Sequence, residues 1–148
     1  FDEINLILNF HTDFRSPKIK NLKNTSSSYM LFYDPKIKIQ LRIKTLSTIH
    51  NLNSVSKKAW DYTKLASRKC YLTQSPPTST TSKPEDGIPD HLIGTDPSKH
   101  ESETGYKNFA VIENKIKNID WLYLKSSGHR RLNINCTQKN PKFKWLIP

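Results

Sequence analysis

Three side chains crowded into one short stretch have the chemistry to hold an anion. In FHTDFRSPK (Phe10–Lys18), Arg15, Ser16 and Lys18 follow a strand-like run that closes on His11, Thr12 and Asp13. Pro17 suits the first position of a helix and Ser16 the N-cap before it. A helix start carries unpaired N–H groups and a partial positive charge. Two cations placed there cost roughly 0.3–1 kcal/mol each unless an anion joins them. A phosphate would reverse that sign, drawing charge-assisted bonds from Arg15 and Lys18 and a hydroxyl bond from Ser16. Cations swung out into water are the plainer reading of the same cluster.

A second set lies on the most regular pattern in the chain, KIKIQLRIK from Lys36 to Lys44. Ile37, Ile39, Leu41 and Ile43 alternate strictly with Lys36, Lys38, Gln40, Arg42 and Lys44. Period two predicts a strand with one buried face, and it turns Gln40 and Arg42 outward together. Further on, Trp121 in NIDWLYL and His129, Arg130 and Arg131 in GHRR suit an anionic or electron-rich ring. A basic strand edge that discourages aggregation, with Trp121 in the core, explains the same residues without a ligand.

The elements that must position these groups are mostly strands. INLILNFHT (Ile4–Thr12) reads as a buried strand, SPKIKNLKN as a short helix, and YMLFYD as a second strand before the alternating one. From Asn53 to Ser67 the period lengthens: Val55, Ala59, Tyr62 and Leu65-Ala66 recur every three or four residues beside Trp60, with Ser54 or Ser56 to cap. The Pro/Ser/Thr-rich segment from Thr73 to Asp90 cannot build a core and predicts a long surface loop over 73–100, a connection or a lid. NFAVIEN, NIDWLYLK, RRLNINCTQ and FKWLI then read as short strands parted by turn-like segments. Six or more short strands with two helical insertions favour a small closed barrel over an open sheet with bare edges.

Composition narrows the rest. The 148 residues suit one domain, 1–148, with a single core. Mean hydropathy is −0.70, and no apolar run approaches the ~20 residues that span a bilayer. A net charge of +11, from 24 Lys and Arg against 13 Asp and Glu, makes polyanions natural partners, or merely keeps the chain dissolved. Cys70 and Cys136 lie far apart without metal-ligand spacing, which predicts buried free thiols in a reducing cytoplasm and no metal site. No GxSxG, P-loop or hydrolytic carboxylate pair occurs. A basic nucleic-acid-binding β-barrel would use Phe32, Tyr33, Trp121 and Tyr123 for stacking. Those aromatics do not interleave with Lys and Arg on one alternating face, which disfavours nucleic acid.

FHTDFRSPK, then KIQLRI some twenty residues on and GHRR much later, resembles the FMN-binding split-barrel family that contains pyridoxamine 5'-phosphate oxidase, in its RSPK-type branch. The match spans most of the chain, with 73–107 poorly matched. The resemblance implies a mostly β fold, a six-stranded antiparallel split barrel with short flanking helices, whose homodimer binds FMN at the subunit interface. It puts His11, Thr12 and Asp13 beside the flavin, Arg15, Ser16 and Lys18 on its phosphate, and Gln40, with Arg42 beside it, on the ring. It sets Trp121, His129, Arg130 and Arg131 against the partner's flavin. Arg68, from the helix-end Ser67-Arg68 pair, and Arg130 would meet a small anionic substrate. It also implies a further strand or helix before FDEINL. Three departures from the oxidase pattern fall in the chain: Lys64 stands where a Tyr is usual, Pro17 where an Arg is, and Leu132 where a His is. The resemblance therefore implies a flavoprotein, an FMN-dependent oxidoreductase of unassigned substrate; a non-catalytic flavin-binding module is the alternative.

Overall fold

The computed structural model describes residues 1–138 and 140–148. It is mostly β, with six strands: β1 Ile7–Asp13, β2 Ser27–Asp34, β3 Ile39–His50, β4 Phe109–Tyr123, β5 Arg130–Asn135 and β6 Lys142–Leu146. They run in the order β2-β3-β4-β5-β6, and β1 pairs with β4. Four short helices accompany them: α1 Pro17–Asn24, α2 Ser54–Tyr62, α3 Leu65–Arg68 and α4 Lys99–Ser102. The chain divides into two compact units, the first of Phe1–Leu8, Thr25–Thr48 and Asn114–Pro148, the second of Asn9–Asn24 and Ile49–Glu113.

The second unit is built on the start of β4. Phe109, Ala110, Val111 and Ile112 are each 2% exposed or less, so the strand is buried on both faces. Alternation sends Phe109 and Val111 into a cluster with Trp60 and Tyr71, and Ala110 and Ile112 into another with Ile19, Phe10, Phe14, Leu22 and Ile49. The helical period read over 53–67 breaks in two. Asn53, rather than Ser54 or Ser56, caps α2: its side chain accepts from Ser56 N, and Ser56 Oγ accepts from Asn53 N. Thr63 leaves the helix in extended conformation before α3 begins. Trp60 is fully buried, whereas Val55 and Tyr62 stay exposed, so the inward stripe is Ser56, Ala59 and Trp60. The segment expected as one long loop stays irregular only as far as Pro89. Helical turns at Asp90–Leu92, Lys99–Ser102 and Glu103–Asn108 then bury Leu92 and Ser102.

In the first unit, β2 and β3 form an antiparallel pair from Ser27↔Leu46 to Asp34↔Ile39. The alternating strand starts three residues later than its pattern. Lys38 takes a left-handed φ of 55° in the turn, and Ile37 is 56% exposed. It also runs on past the apolar pattern to His50, because its inward positions become Thr45 and Ser47. These hydroxyls are paired: Ser28 Oγ bonds Thr45 Oγ1 (2.7 Å) and Ser47 Oγ (2.8 Å), and Ser47 Oγ donates to Asn114 Oδ1 (2.7 Å). Asn114 Nδ2 donates to the carbonyl of Leu8, so the polar row ends on β1. NFAVIEN and NIDWLYLK, read as two strands, are one continuous β4 of 15 residues. β5 pairs antiparallel with both β4 and β6. Both cysteines are free, and Cys70 is exposed rather than buried.

Buried polar groups are tolerated only while paired, which gives a test. Asn114→Ala takes one partner from Ser47 Oγ, which keeps Ser28 Oγ, and one from the Leu8 carbonyl, and is expected to cost about 1–3 kcal/mol in urea unfolding. Asn118→Ala, which breaks the half-buried amide pair with Asn133, is expected to cost under about 1 kcal/mol. Equal losses would show that the hydroxyl row carries no special weight.

Candidate functional site

The anion-binding residues of FHTDFRSPK lie together in the second unit, at the junction of β1 and α1. β1 ends where Phe14 N donates to the Asn108 carbonyl (2.6 Å) and the His11 ring meets Phe109 edge-on at 4.8 Å. Partial burial lowers the His11 pKa below its ordinary value, although the residue stays exposed on one side. Thr12 and Asp13 are buried at the end of the strand. Asp13 then organises the turn: its Oδ1 accepts Arg15 N (2.7 Å) and its carbonyl accepts Ser16 N (3.1 Å).

Arg15 finds its anion within the chain. Its Nε and Nη2 fork onto the two Asp13 oxygens at 3.0 and 2.7 Å, and Nη2 also donates to Thr73 Oγ1 (3.0 Å). Nη1 donates to the carbonyls of Thr73 (2.9 Å) and Gln74 (3.3 Å). Removing one member of such a pair leaves an uncompensated, mostly buried charge, worth about 3–5 kcal/mol when burial is complete. Lys18 is exposed, with Nζ 5.4 Å from the Phe10 ring. Ser16 is only 7% exposed, yet its Oγ has no hydrogen-bond partner. It is therefore not the side-chain N-cap that its position suggested. A buried hydroxyl without a partner is uncommon and costs free energy until something meets it.

Arg68 also belongs to the second unit, but it faces inward. At 3% exposed it donates to the carbonyls of Thr63 (3.0 Å) and Trp60 (2.7 Å), to Ser102 Oγ (3.1 Å) and to Glu103 Oε1 (2.7 Å). Its guanidinium lies over the Trp60 ring at 4.5 Å. These bonds make Arg68 a cation of the core, with its donors turned away from any substrate.

The remaining candidates lie in the first unit. Gln40 pairs across the ladder with Tyr33 and Arg42 with Leu31, both on the face opposite the buried Ile43, as alternation requires. Arg42 and Arg131 converge on Asp120, a residue the motif pattern did not single out. Arg42 Nη2 reaches Oδ2 at 2.6 Å, and Arg131 reaches both oxygens at 2.9 and 2.7 Å. The Arg131 bonds first, and then those of Arg42, hold the Asp120 carboxyl down at about 2. Trp121 and Arg130 point to the other face. There a groove of about 740 Å³ is lined by Trp121, Tyr123 and Trp145 and by Lys36, Lys38 and Arg130, with no acidic side chain on it. Trp121 sits 6.1 Å from Tyr123 and 6.3 Å from Trp145, ring centre to ring centre. Trp121, Tyr123 and Trp145 share this face with Lys36, Lys38 and Arg130, from β4, β5, β6 and the β2–β3 turn, whereas Phe32 and Tyr33 do not line it. His129 is exposed just before β5.

Among the described residues no group of three His, Cys, Asp or Glu is placed to hold a metal ion, and no helix is long and apolar enough to cross a membrane. No protein-family model matches the chain, and no curated protein matches its sequence. Its fold does match solved structures. A pyridoxamine 5'-phosphate oxidase-related, FMN binding protein from Nostoc punctiforme aligns at a TM-score of 0.72 and 19% identity, over 100% of this chain and 76% of that one. PhzG from Burkholderia lata, solved in complex with tetrahydrophenazine-1-carboxylic acid, aligns at 0.69 and 15% identity, over 95% of this chain and 68% of PhzG. The chain therefore has the split-barrel fold that the resemblance implied.

Because the folded pKa of Asp120 is depressed below the ordinary 3.8, the stability it contributes is present above the unfolded value and is lost as pH falls towards about 2. Asp120→Asn is expected to flatten the stability curve between about pH 5 and 2. It is also expected to free both arginines, visible as faster exchange of their side-chain N–H signals by NMR. An unchanged acid limb would show that the two arginines do not hold this carboxyl.

Proposed function

We propose that this chain is an FMN-binding flavoprotein of the pyridoxamine 5'-phosphate oxidase-like kind, an oxidoreductase of unassigned substrate. One observation carries the reading: the buried, unpartnered Ser16 hydroxyl at the start of α1, beside Lys18. A helix start with an idle buried donor and a free ammonium is suited to a phosphate ester, and the shared fold belongs to a protein described as FMN binding. Ser16 and Lys18 would hold the phosphate, with His11 and Thr12 at the strand end beside it. When bound, the flavin supplies the redox chemistry, and the protein contributes position and electrostatics. The groove beside Trp121 and Arg130 offers aromatic faces and unopposed cations to a small anionic substrate.

The active form on this reading is a homodimer. Tyr29, Leu31 and Tyr33 alternate along β2 at 71%, 66% and 53% exposed, and Phe143 and Trp145 on β6 are 71% and 64% exposed. Rows of this size mark interaction surfaces. Sedimentation is expected at about twice the 17.2 kDa of one chain; a monomer at working concentration would remove the dimer from the proposal. The two free thiols fit a reducing, cytoplasmic setting.

The test compares FMN with riboflavin, which lacks the phosphate. The wild-type chain is expected to retain FMN through desalting and to bind riboflavin far more weakly. Ser16→Ala and Lys18→Ala should each weaken FMN about tenfold to a hundredfold, the value of a hydrogen bond to a charged group, and leave riboflavin unchanged. A chain that takes up neither flavin, or holds both equally, would overturn the reading.

A further inference from the structure

We propose that Arg15 is a positioning residue and not a phosphate ligand. It neutralises Asp13 and clips the Thr73–Gln74 strap, leaving the phosphate to Ser16 and Lys18; for its ligand this rests on the FMN reading above. A guanidinium has five N–H donors and accepts nothing. All five are spent here: one from Nε on Asp13, two from Nη2 on Asp13 and Thr73 Oγ1, and two from Nη1 on the Thr73 and Gln74 carbonyls. The fork onto Asp13 is bidentate, and the Asp13 side chain is only 6% exposed. To reach a phosphate, Arg15 would have to abandon a buried carboxylate and two carbonyls, and an exposed ester contact does not offset that loss.

The same geometry gives Arg15 an indirect effect on phosphate. Asp13 lies three residues before Ser16 and accepts the main-chain N–H of Arg15 through its carboxylate, while its carbonyl takes that of Ser16. An unneutralised Asp13 at that turn would repel the ester from the donors that hold it. Arg15 cancels that charge. Through Thr73 it also fixes the first residues of the irregular 73–89 segment, between the helical turns at Lys69–Tyr71 and Asp90–Leu92.

A direct ligand and a neutraliser respond oppositely to a second substitution. Arg15→Ala is expected to weaken FMN relative to riboflavin by about tenfold or more. The double variant Asp13→Asn/Arg15→Ala should return that ratio to within about threefold of wild type, because no buried charge remains to repel the phosphate. A direct ligand would leave the double variant as weak as the single one, and that result would overturn the proposal. Arg15→Lys retains the charge but not the fork. It should keep the FMN-to-riboflavin ratio and loosen the strap, and it carries the test if Arg15→Ala does not fold. Hydrogen exchange of residues 73–87, measured without flavin, is expected to quicken at least about tenfold in all three variants. Unchanged exchange would overturn the clip even in a chain that binds no FMN, so the clip and the flavin reading fail separately.

Discussion

Four consecutive residues, Phe109–Ile112, must be buried on both sides at once, and the second unit is arranged around that requirement. A strand buried on both faces needs apolar side chains at every position rather than at alternate ones. Phe109 and Val111 call for the aromatic wall of Trp60 and Tyr71, and Ala110 and Ile112 for Ile19 and the side chains around it. Ile19 belongs to α1, so the helix that begins just after Ser16 is seated on this strand. His11 lies against Phe109, and the Phe14 N–H is taken by Asn108. The candidate site is thus placed by the burial of residues about a hundred positions away, each worth roughly 1.5–3 kcal/mol for a large apolar side chain.

Carboxylates govern what is left over for a ligand. The chain has five arginines, and four close on acidic partners: Arg15 on Asp13, Arg42 and Arg131 on Asp120, and Arg68 on Glu103. The planar fork matches a carboxylate, whereas an ammonium is a strongly hydrated point charge, so arginine is drawn first into ion pairs. The net charge of +11 therefore reaches solvent and ligands chiefly through lysine. Arg130, standing over the aromatic groove, is the arginine that keeps its charge outward. This sorting explains how a strongly basic chain spends four of its five arginines on ion pairs and turns one outward.

What could be read from the sequence followed the strength of local patterning. A mostly β fold was legible because Ile37 to Ile43 and the apolar runs near Phe109, Trp121 and Ile134 obey short periods. The far end of β3 was not, since Thr45 and Ser47 point inward as hydroxyls and satisfy one another and Asn114 instead of forming an apolar stripe. The union of NFAVIEN with NIDWLYLK was hidden by Asn114-Lys115, which reads as a turn but belongs to one long strand. Within the helical stretch the apolar spacing pointed to Val55 and Tyr62. Burial is decided instead by Trp60, whose ring lies between Tyr71, Tyr106 and Phe109.

The site was legible in membership more than in role. The RSPK segment does put Arg15, Ser16 and Lys18 at a helix start, as Pro17 and the strand before it required. Nothing local announces that Thr73, 58 residues on, supplies a hydroxyl and a carbonyl to Arg15, or that Asp120 gathers Arg42 across 78 residues. A motif fixes which side chains stand at a position, but a side chain's role follows from where its donors end. By that criterion Ser16, with a buried hydroxyl and no partner, is the more informative member of the cluster, and the fully bonded Arg15 the less. Two arginines of identical chemistry, one closed on Asp13 and one open over a groove, contribute opposite things to an approaching anion, and only their hydrogen bonds tell them apart.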